Sequence, residues 1–244
     1  MKAISLLFLI TGMAASAQNI PVGEILASID RNMNSETRVF TSKMIIHGRW
    51  GDRTVESKTW TAGNKKSFTE YLFPVRDQGT KMLKLDNQLW IYSPSTDRVI
   101  QIAGHMLRQS VMGSDLSYED MMEDRSMAES YSATLSGTEN IGDRKCWVLN
   151  LVAKDPEMAY QGMKLWVDIE RRIPLKQEFY AKSGTLLKRT ELSDVVNLQG
   201  RWFPRKIVFK DVLKEGAGTE FIITDIKFNV QIPESVFSKG NLKK

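Results

Sequence analysis

The chain has 244 residues, of which 34 are lysine or arginine and 29 are aspartate or glutamate. The formal net charge of +5 is modest, and basic residues alternate with acidic ones along most of the chain. Nucleic-acid binding needs a clustered basic stripe with stacking aromatic side chains, so the charge pattern excludes that class. The single cysteine, Cys146, excludes an internal disulfide, and the pattern around it predicts a buried, unreactive thiol.

The N-terminus has the pattern of a secretory signal peptide. Lys2 gives a positive start, residues 4–10 form an apolar run, and Ala15-Ser16-Ala17 matches an A-x-A cleavage site. The apolar run is too short to remain as a membrane-spanning helix. We therefore expect a signal peptide over residues 1–17, cleavage after Ala17, export to the periplasm, and a single mature domain over residues 18–244.

Hydrophobic periodicity predicts one helix followed by a long β region. Residues 20–33 carry an apolar stripe at helical spacing, formed by Val22, Ile25, Leu26, Ile29 and Met33. From residue 38 the period changes to two, and short turns separate the strand-like runs as far as residue 230. Because such short turns join antiparallel neighbours, we predict a mainly β (α+β) protein with about eleven strands in one curved sheet or barrel. The tail from Ser238 contains three lysines, and we predict that it is unstructured.

A methionine-rich segment interrupts the β pattern after Ile102. Five of the twelve methionines lie between residues 106 and 127. Ser114 or Asp115 is placed to cap a short helix that ends near Met122. Flexible thioether side chains suit a surface that repacks around variable partners, although methionine also fills ordinary cores. The segment is therefore a candidate cover for a binding site.

Several strands carry large apolar residues on both faces, as in residues 89–92, 147–151 and 221–226. A sheet with one wet face should alternate polar and apolar residues. Either the interior is an ordinary filled core, or it is a hollow that binds an apolar ligand. Catalytic patterns are missing: His47 and His105 lack a triad context, and no His/Cys spacing predicts a metal site or cofactor.

The central block resembles a known family. Trp90-Ile91-Tyr92-Ser93-Pro94, Arg98, Met112-Gly113-Ser114-Asp115 and Ser117-Tyr118-Glu119-Asp120 are similar to LolA-like outer-membrane lipoprotein-sorting proteins, and Ile232–Phe237 also fits. The resemblance implies an unclosed antiparallel β-barrel, covered by an N-terminal helix and a short helical lid. It also implies a hydrophobic cavity for lipoprotein acyl chains. The arginine that locks the lid in the founding carriers has no placed counterpart, so another lipid, such as a hopanoid-like molecule, is equally open as cargo.

These observations give a carrier hypothesis with named residues. The face of each strand that lines the cavity is left open, and the candidate lining residues are Trp60, Phe68, Leu83, Trp90, Tyr92, Ile100, Met112, Leu116, Met121, Met122 and Trp166. By the resemblance, the motif and lid residues are Arg98, Gly113, Ser114, Asp115, Tyr118, Glu119 and Asp120. We expect a monomer that works with an inner-membrane transporter of RND or ABC type and an outer-membrane acceptor. The alternatives are a periplasmic sensor module on the same scaffold and, with least weight, a hydrolase with an unrecognised site.

Overall fold

The computed structural model describes residues 20–49, 51–122 and 126–244, and the predicted signal peptide lies outside these ranges. In the described residues, one antiparallel sheet contains 13 strands. The strands are β1 (Thr37–Gly48), β2 (Gly51–Ala62), β3 (Lys66–Phe73), β4 (Lys81–Leu85), β5 (Gln88–Ser93), β6 (Arg98–Ile102), β7 (Tyr131–Ile141), β8 (Arg144–Ala153), β9 (Gly162–Asp168), β10 (Pro174–Tyr180), β11 (Leu186–Leu198), β12 (Arg201–Asp211) and β13 (Gly218–Phe228). The predicted antiparallel sheet is confirmed, and its 13 strands slightly exceed the predicted number of about eleven.

Strand order explains how the sheet curves without closing. Pairing runs from β6 back to β1, then from β1 across to β13, and from β13 back to β7. The strands β6 and β7 are therefore the two edges, and the segment between them must cross from one edge to the other. We call this segment, residues 103–130, the insert. This order confirms the predicted unclosed sheet.

Helical structure is sparse. The two α-helices of the described ranges are α1 (Val22–Met33) and α2 (Met127–Ser130). Short 3-10 turns occupy Gly104–Arg108, Val111–Gly113, Glu119–Met121, Glu234–Phe237 and Lys239–Lys243. None of the helices among these residues has the length and apolarity that a membrane span requires.

The predicted N-terminal helix is confirmed and covers one face of the sheet. Ile25, Leu26 and Ile29 of α1 are buried against a cluster from β7, β8 and β9 that includes Leu149 and Leu165. Burial of such side chains contributes roughly 1.5–3 kcal/mol each. We call the face under α1 the inner face and the opposite one the outer face.

The C-terminal segment covers part of the outer face, and here the sequence prediction was wrong. The tail from Ser238 is ordered: Leu242 is fully buried, and Phe237 is also buried beside Phe68, Leu83 and Trp90. Lys239 lies 3.9 Å above the Trp90 ring. The lysines suggested a solvated end, but their charged groups reach water or partners while the apolar residues between them pack on the sheet.

Cys146 is fully buried on the outer face, beside Val148, Trp166 and Ile173. Burial, with a further contribution from the charge of Asp168, raises the pKa of the thiol to about 11. We expect a thiol reagent to leave Cys146 unmodified in the native protein at pH 8 and to modify it fully in denaturant, because the thiolate is the reactive form. Absorbance of the released chromophore measures this. Rapid stoichiometric modification of the native protein would contradict the buried placement.

Candidate ligand-binding site

Two cavities lie on the inner face, between the sheet and the elements that cover it. The larger, cavity 1, has a volume of about 430 Å³ and lies beneath α1 and the insert. Its wall combines the last turns of α1 with inward-facing residues of β9 to β12. The apolar side chains are Ile29, Met33, Met127, Met158, Met163, Phe179, Leu192, Ile207 and Phe209.

Cavity 2 has a volume of about 320 Å³, and its wall combines apolar side chains with a row of hydroxyl groups. Phe40, Met44, Val55, Phe203 and Phe221 supply apolar surface from β1, β2, β12 and β13. Hydroxyl groups run across the same wall, where Ser42 bonds to Ser57 and Thr59 bonds to Thr69, both at 3.0 Å. These hydroxyl pairs satisfy one another across neighbouring strands, so they tolerate burial without water.

The two cavities meet at one place. Met33, Arg38, Asn64 and Ile207 line both of them. The Arg38 guanidinium donates to the Met33 carbonyl at 3.0 Å and to Thr61 Oγ1 at 3.4 Å. Because these four residues line both volumes, the two cavities adjoin.

The described part of the insert covers the inner face with methionine and aromatic side chains. Met106, Met121, Met122 and Tyr118 pack on a cluster formed by buried residues of β4, β5 and β6. Met112 and Leu116 pack on Met44, Val55 and Tyr71, and Met127 packs on the α1 cluster. The methionines thus contact three separate regions of the wall, which agrees with a cover of adaptable shape.

Asp115 anchors the insert to the sheet rather than capping a helix. Its carboxylate accepts hydrogen bonds from Thr219 Oγ1 at 2.7 Å and from the Asp211 amide at 3.0 Å. Its own amide donates to Thr219 Oγ1 at 3.0 Å. The predicted helix capped by Ser114 or Asp115 is wrong, since a segment that crosses the sheet follows its contour in short 3-10 turns. Buried donors on β12 and β13 therefore bind the carboxylate.

Asp120 connects the insert to the wall of cavity 1. Its carboxylate accepts hydrogen bonds from the Ser117 amide at 2.7 Å, from Tyr160 Oη at 2.5 Å and from Lys188 Nζ. Burial, then the charge of Asp120, raises the pKa of Tyr160, so its hydroxyl stays protonated and donates. These charge-assisted bonds are stronger than neutral ones, and opening the cover at this side requires breaking them.

Replacing Asp120 by asparagine is expected to loosen the cover and speed the exchange of an apolar molecule held in cavity 1 about tenfold, since charge-assisted bonds contribute about 1.5–3 kcal/mol. Stopped-flow fluorescence of a bound apolar probe measures the dissociation rate. Glu119→Gln is the matched control, because it removes a neighbouring carboxylate for which no hydrogen bond is found among the described residues. Equal dissociation rates for Asp120→Asn and the unchanged protein would show that Asp120 does not hold the cover.

Six of the candidate lining residues lie away from both cavities. Trp60, Phe68, Leu83, Trp90 and Tyr92 cluster on the outer face beneath the C-terminal segment, and Trp166 packs beside Cys146. Their placement follows from the side-chain alternation of strands, because the inner-face neighbours are residues such as Thr61, Lys84 and Leu89. The size and apolarity of these residues suggested a cavity lining, but they do not indicate which face of the sheet a side chain occupies.

The remaining candidates lie at or near the inner face. Leu116 and Met121 line cavity 2. Met112 and Met122 pack in the insert without lining either cavity, and Ile100 is exposed on the edge strand β6.

Motif residues fall mainly in the insert. Gly113 has a φ of +73°, a conformation that favours glycine. Ser114 is buried and accepts a hydrogen bond from the Leu116 amide, Tyr118 packs against β4 to β6, and Glu119 lines cavity 1. Arg98 is exposed on β6, away from both cavities.

Sequence reasoning missed most of the cavity 1 wall. Four strands supply the missed residues, which are Met163, Phe179, Leu192, Ile207 and Phe209. In the sequence they are marked only by strand alternation, which places them on the same face as the residues that pack under α1. Within the described residues, no group of three or more His, Cys, Asp or Glu side chains has the arrangement of a metal site.

Solved structures share this fold over most of the chain. A domain from Vibrio parahaemolyticus named for outer membrane lipoprotein sorting is 22% identical, with a TM-score of 0.78 over 91% of this chain and 98% of that one. A DUF1329 family protein from Desulfovibrio piger is 23% identical, with a TM-score of 0.82 over 90% and 97%. A LolA superfamily protein from Nitrosomonas europaea is 24% identical, with a TM-score of 0.75 over 91% and 99%. No curated protein matches the chain.

An open antiparallel barrel with covered inner cavities therefore defines a protein of LolA-like fold, which confirms the resemblance seen in the sequence. A family model described as "Uncharacterized protein" matches residues 63–244, and the chain belongs to that family.

Proposed function

We propose that the protein is a periplasmic carrier that binds the acyl chains of lipoproteins or of other lipids and delivers them toward the outer membrane. It works by binding and release rather than by catalysis. The observation that carries the proposal is the pair of adjoining cavities, about 430 and 320 Å³, beneath a methionine-rich cover. Ligand pockets of other proteins fall in the same range of volume.

The energetics of such a site need no catalytic group. Each buried CH₂ contributes roughly 0.8 kcal/mol, so a chain of a dozen methylenes supplies about 10 kcal/mol before ordering costs. The apolar wall of cavity 1 supplies a suitable surface. Release then depends on moving the cover, whose polar contacts include those of Asp115 and Asp120.

The name of one structurally similar protein refers to outer membrane lipoprotein sorting, which supports the carrier proposal. By analogy, the donor would be an inner-membrane transporter of RND or ABC type and the acceptor an outer-membrane component. The proposal includes export by the predicted signal peptide and a periplasmic location.

The experiment is native mass spectrometry of protein isolated from the periplasm. We expect a population with the added mass of bound lipid, identified after extraction, and uptake of lipid from offered vesicles by the delipidated protein. Ligand-free protein that also takes up nothing from vesicles would overturn the carrier proposal.

A further inference from the structure

Arg38 lies in an unusual electrostatic setting at the boundary of the two cavities. Within the described residues, its hydrogen bonds go to neutral oxygens, the Met33 carbonyl and Thr61 Oγ1. Desolvation by burial, followed by the nearby charge of Arg201, lowers the pKa of Arg38 from its ordinary value. Arg201 itself donates to the Asn32 and Asn34 carbonyls at the end of α1. A guanidinium placed among neutral groups and a second cation is costly unless an anion joins it.

The charges of the two walls differ. Asp30, Glu119 and Asp120 line cavity 1, together with Lys188, which pairs with Asp120. Among described residues, cavity 2 is lined by no carboxylate, and its charged lining residues are Arg38, Lys66 and Lys84. Lys66 pairs with Glu234, and the contacts of Lys84 Nζ include the Asn64 and Met122 carbonyls at 2.8 and 3.0 Å. An anionic group is therefore favoured beside Arg38, whose described hydrogen bonds go to neutral oxygens.

One hydroxyl group beside Arg38 reinforces this preference. Thr61 also lines cavity 2, and its Oγ1 accepts a hydrogen bond from the Arg38 guanidinium. A hydroxyl that accepts through its oxygen can still donate its hydrogen, so it can bind a charged oxygen that lies next to Arg38. The apolar wall of cavity 1 suits the chain itself.

We infer that the protein recognises amphiphiles with an anionic carboxylate or phosphate headgroup, which Arg38 binds at the boundary of the two cavities while the chain lies in cavity 1. The planar guanidinium matches both headgroups with paired hydrogen bonds. This inference rests on the proposed carrier function and adds the class of headgroup.

Calorimetric titration of delipidated protein with dodecanoate, dodecyl phosphate and dodecanol tests it, because the three probes share one chain. We expect at least one of the anionic probes to bind about tenfold or more tightly than the alcohol, and the tighter probe identifies the headgroup. Arg38→Gln should remove the difference while leaving alcohol affinity nearly unchanged. Arg189→Gln, on the outer face beside Glu178, should keep the difference.

Equal affinity for all three probes in the unchanged protein would overturn the headgroup inference and leave the carrier proposal standing. Binding of none of them, or of any offered lipid, would remove both. The comparison of anionic probes with the alcohol is decisive even if Arg38→Gln does not fold, and a thermal melt reports on folding of each variant.

Discussion

Replacing Ile207 by tryptophan is expected to weaken lipid binding about 100-fold while the sheet stays folded. Ile207 lines both cavities, so a larger side chain there takes up space in both of them. Displacing three or four methylenes of a bound chain costs about 2.5–3 kcal/mol, which corresponds to roughly a factor of 100 in affinity. Equilibrium displacement of a fluorescent fatty acid from the purified variant measures the effect.

The neighbouring residue provides the matched control. Val208 lies on the same strand but on the outer face, where it pairs with Glu220 and Glu191. Val208→Trp adds the same bulk outside the cavities, and we expect its lipid affinity to stay within about twofold of the unchanged protein. If both variants bind lipid equally well, the cavities are not the binding site.

Replacing Asp168 by alanine is expected to lower the free energy of unfolding by about 3 kcal/mol. The Asp168 side chain is fully buried at the end of β9. It accepts two hydrogen bonds from Arg144, at 2.8 and 3.0 Å, and one each from the Glu170 and Arg171 amides. Removing the carboxylate leaves these donors without their acceptor. The expected loss of stability is at the lower end of the range for breaking a buried ion pair, because Arg144 keeps some contact with water. Urea denaturation at pH 7 measures it.

The same carboxylate predicts a pH dependence. Burial alone would raise the pKa of Asp168, but the Arg144 hydrogen bonds and the two amides outweigh it, so the pKa is below its ordinary value. Its contribution to stability is therefore fully present above the unfolded pKa near 4, and is lost as pH falls through the lower folded pKa. The difference between Asp168→Ala and the unchanged protein should shrink only at strongly acidic pH.

Glu170→Ala serves as the control for Asp168→Ala. Glu170 also pairs with Arg144, at 2.7 Å, but its side chain is 77% exposed. Exposed ion pairs contribute little, so we expect a change within about 1 kcal/mol. A loss for Glu170→Ala as large as that for Asp168→Ala would show that the buried carboxylate has no special role.

Local sequence patterns predicted the strands and the N-terminal helix, but not the short 3-10 turns of the insert and of the C-terminal segment. The strand runs and the helix over residues 22–33 follow from alternation and from a stripe of apolar residues, which are properties of neighbouring residues. The position of the insert also followed, because its polar, methionine-rich composition interrupts the period of two. The resemblance added the open barrel, which the strand order confirms.

Which face of each strand becomes the inner one could not be predicted in the same way. Trp90 and Leu89 are adjacent, both are buried, and only the second faces inward. The outer face looked apolar because Phe237 and Leu242 pack on it from the far end of the chain. That contact joins residues more than 140 positions apart, so no local pattern predicts it.

Long-range polar contacts escaped prediction for the same reason. Asp115 meets Thr219, and Asp120 meets Lys188, across 104 and 68 positions of sequence. From sequence, both acids fitted a helix N-terminus, which is a sufficient local explanation. Their actual partners depend on the insert crossing the sheet between its two edges.

Photocrosslinking with a fatty acid that carries a diazirine near its chain end tests the central claim most directly, with labelled peptides identified by mass spectrometry. We expect labels on the inner wall, at residues such as Met163, Leu192 and Phe209, and on methionines of the insert. Labels confined to the outer face around Trp90, or no labelling above that of denatured protein, would contradict a lipid-binding hollow beneath the insert.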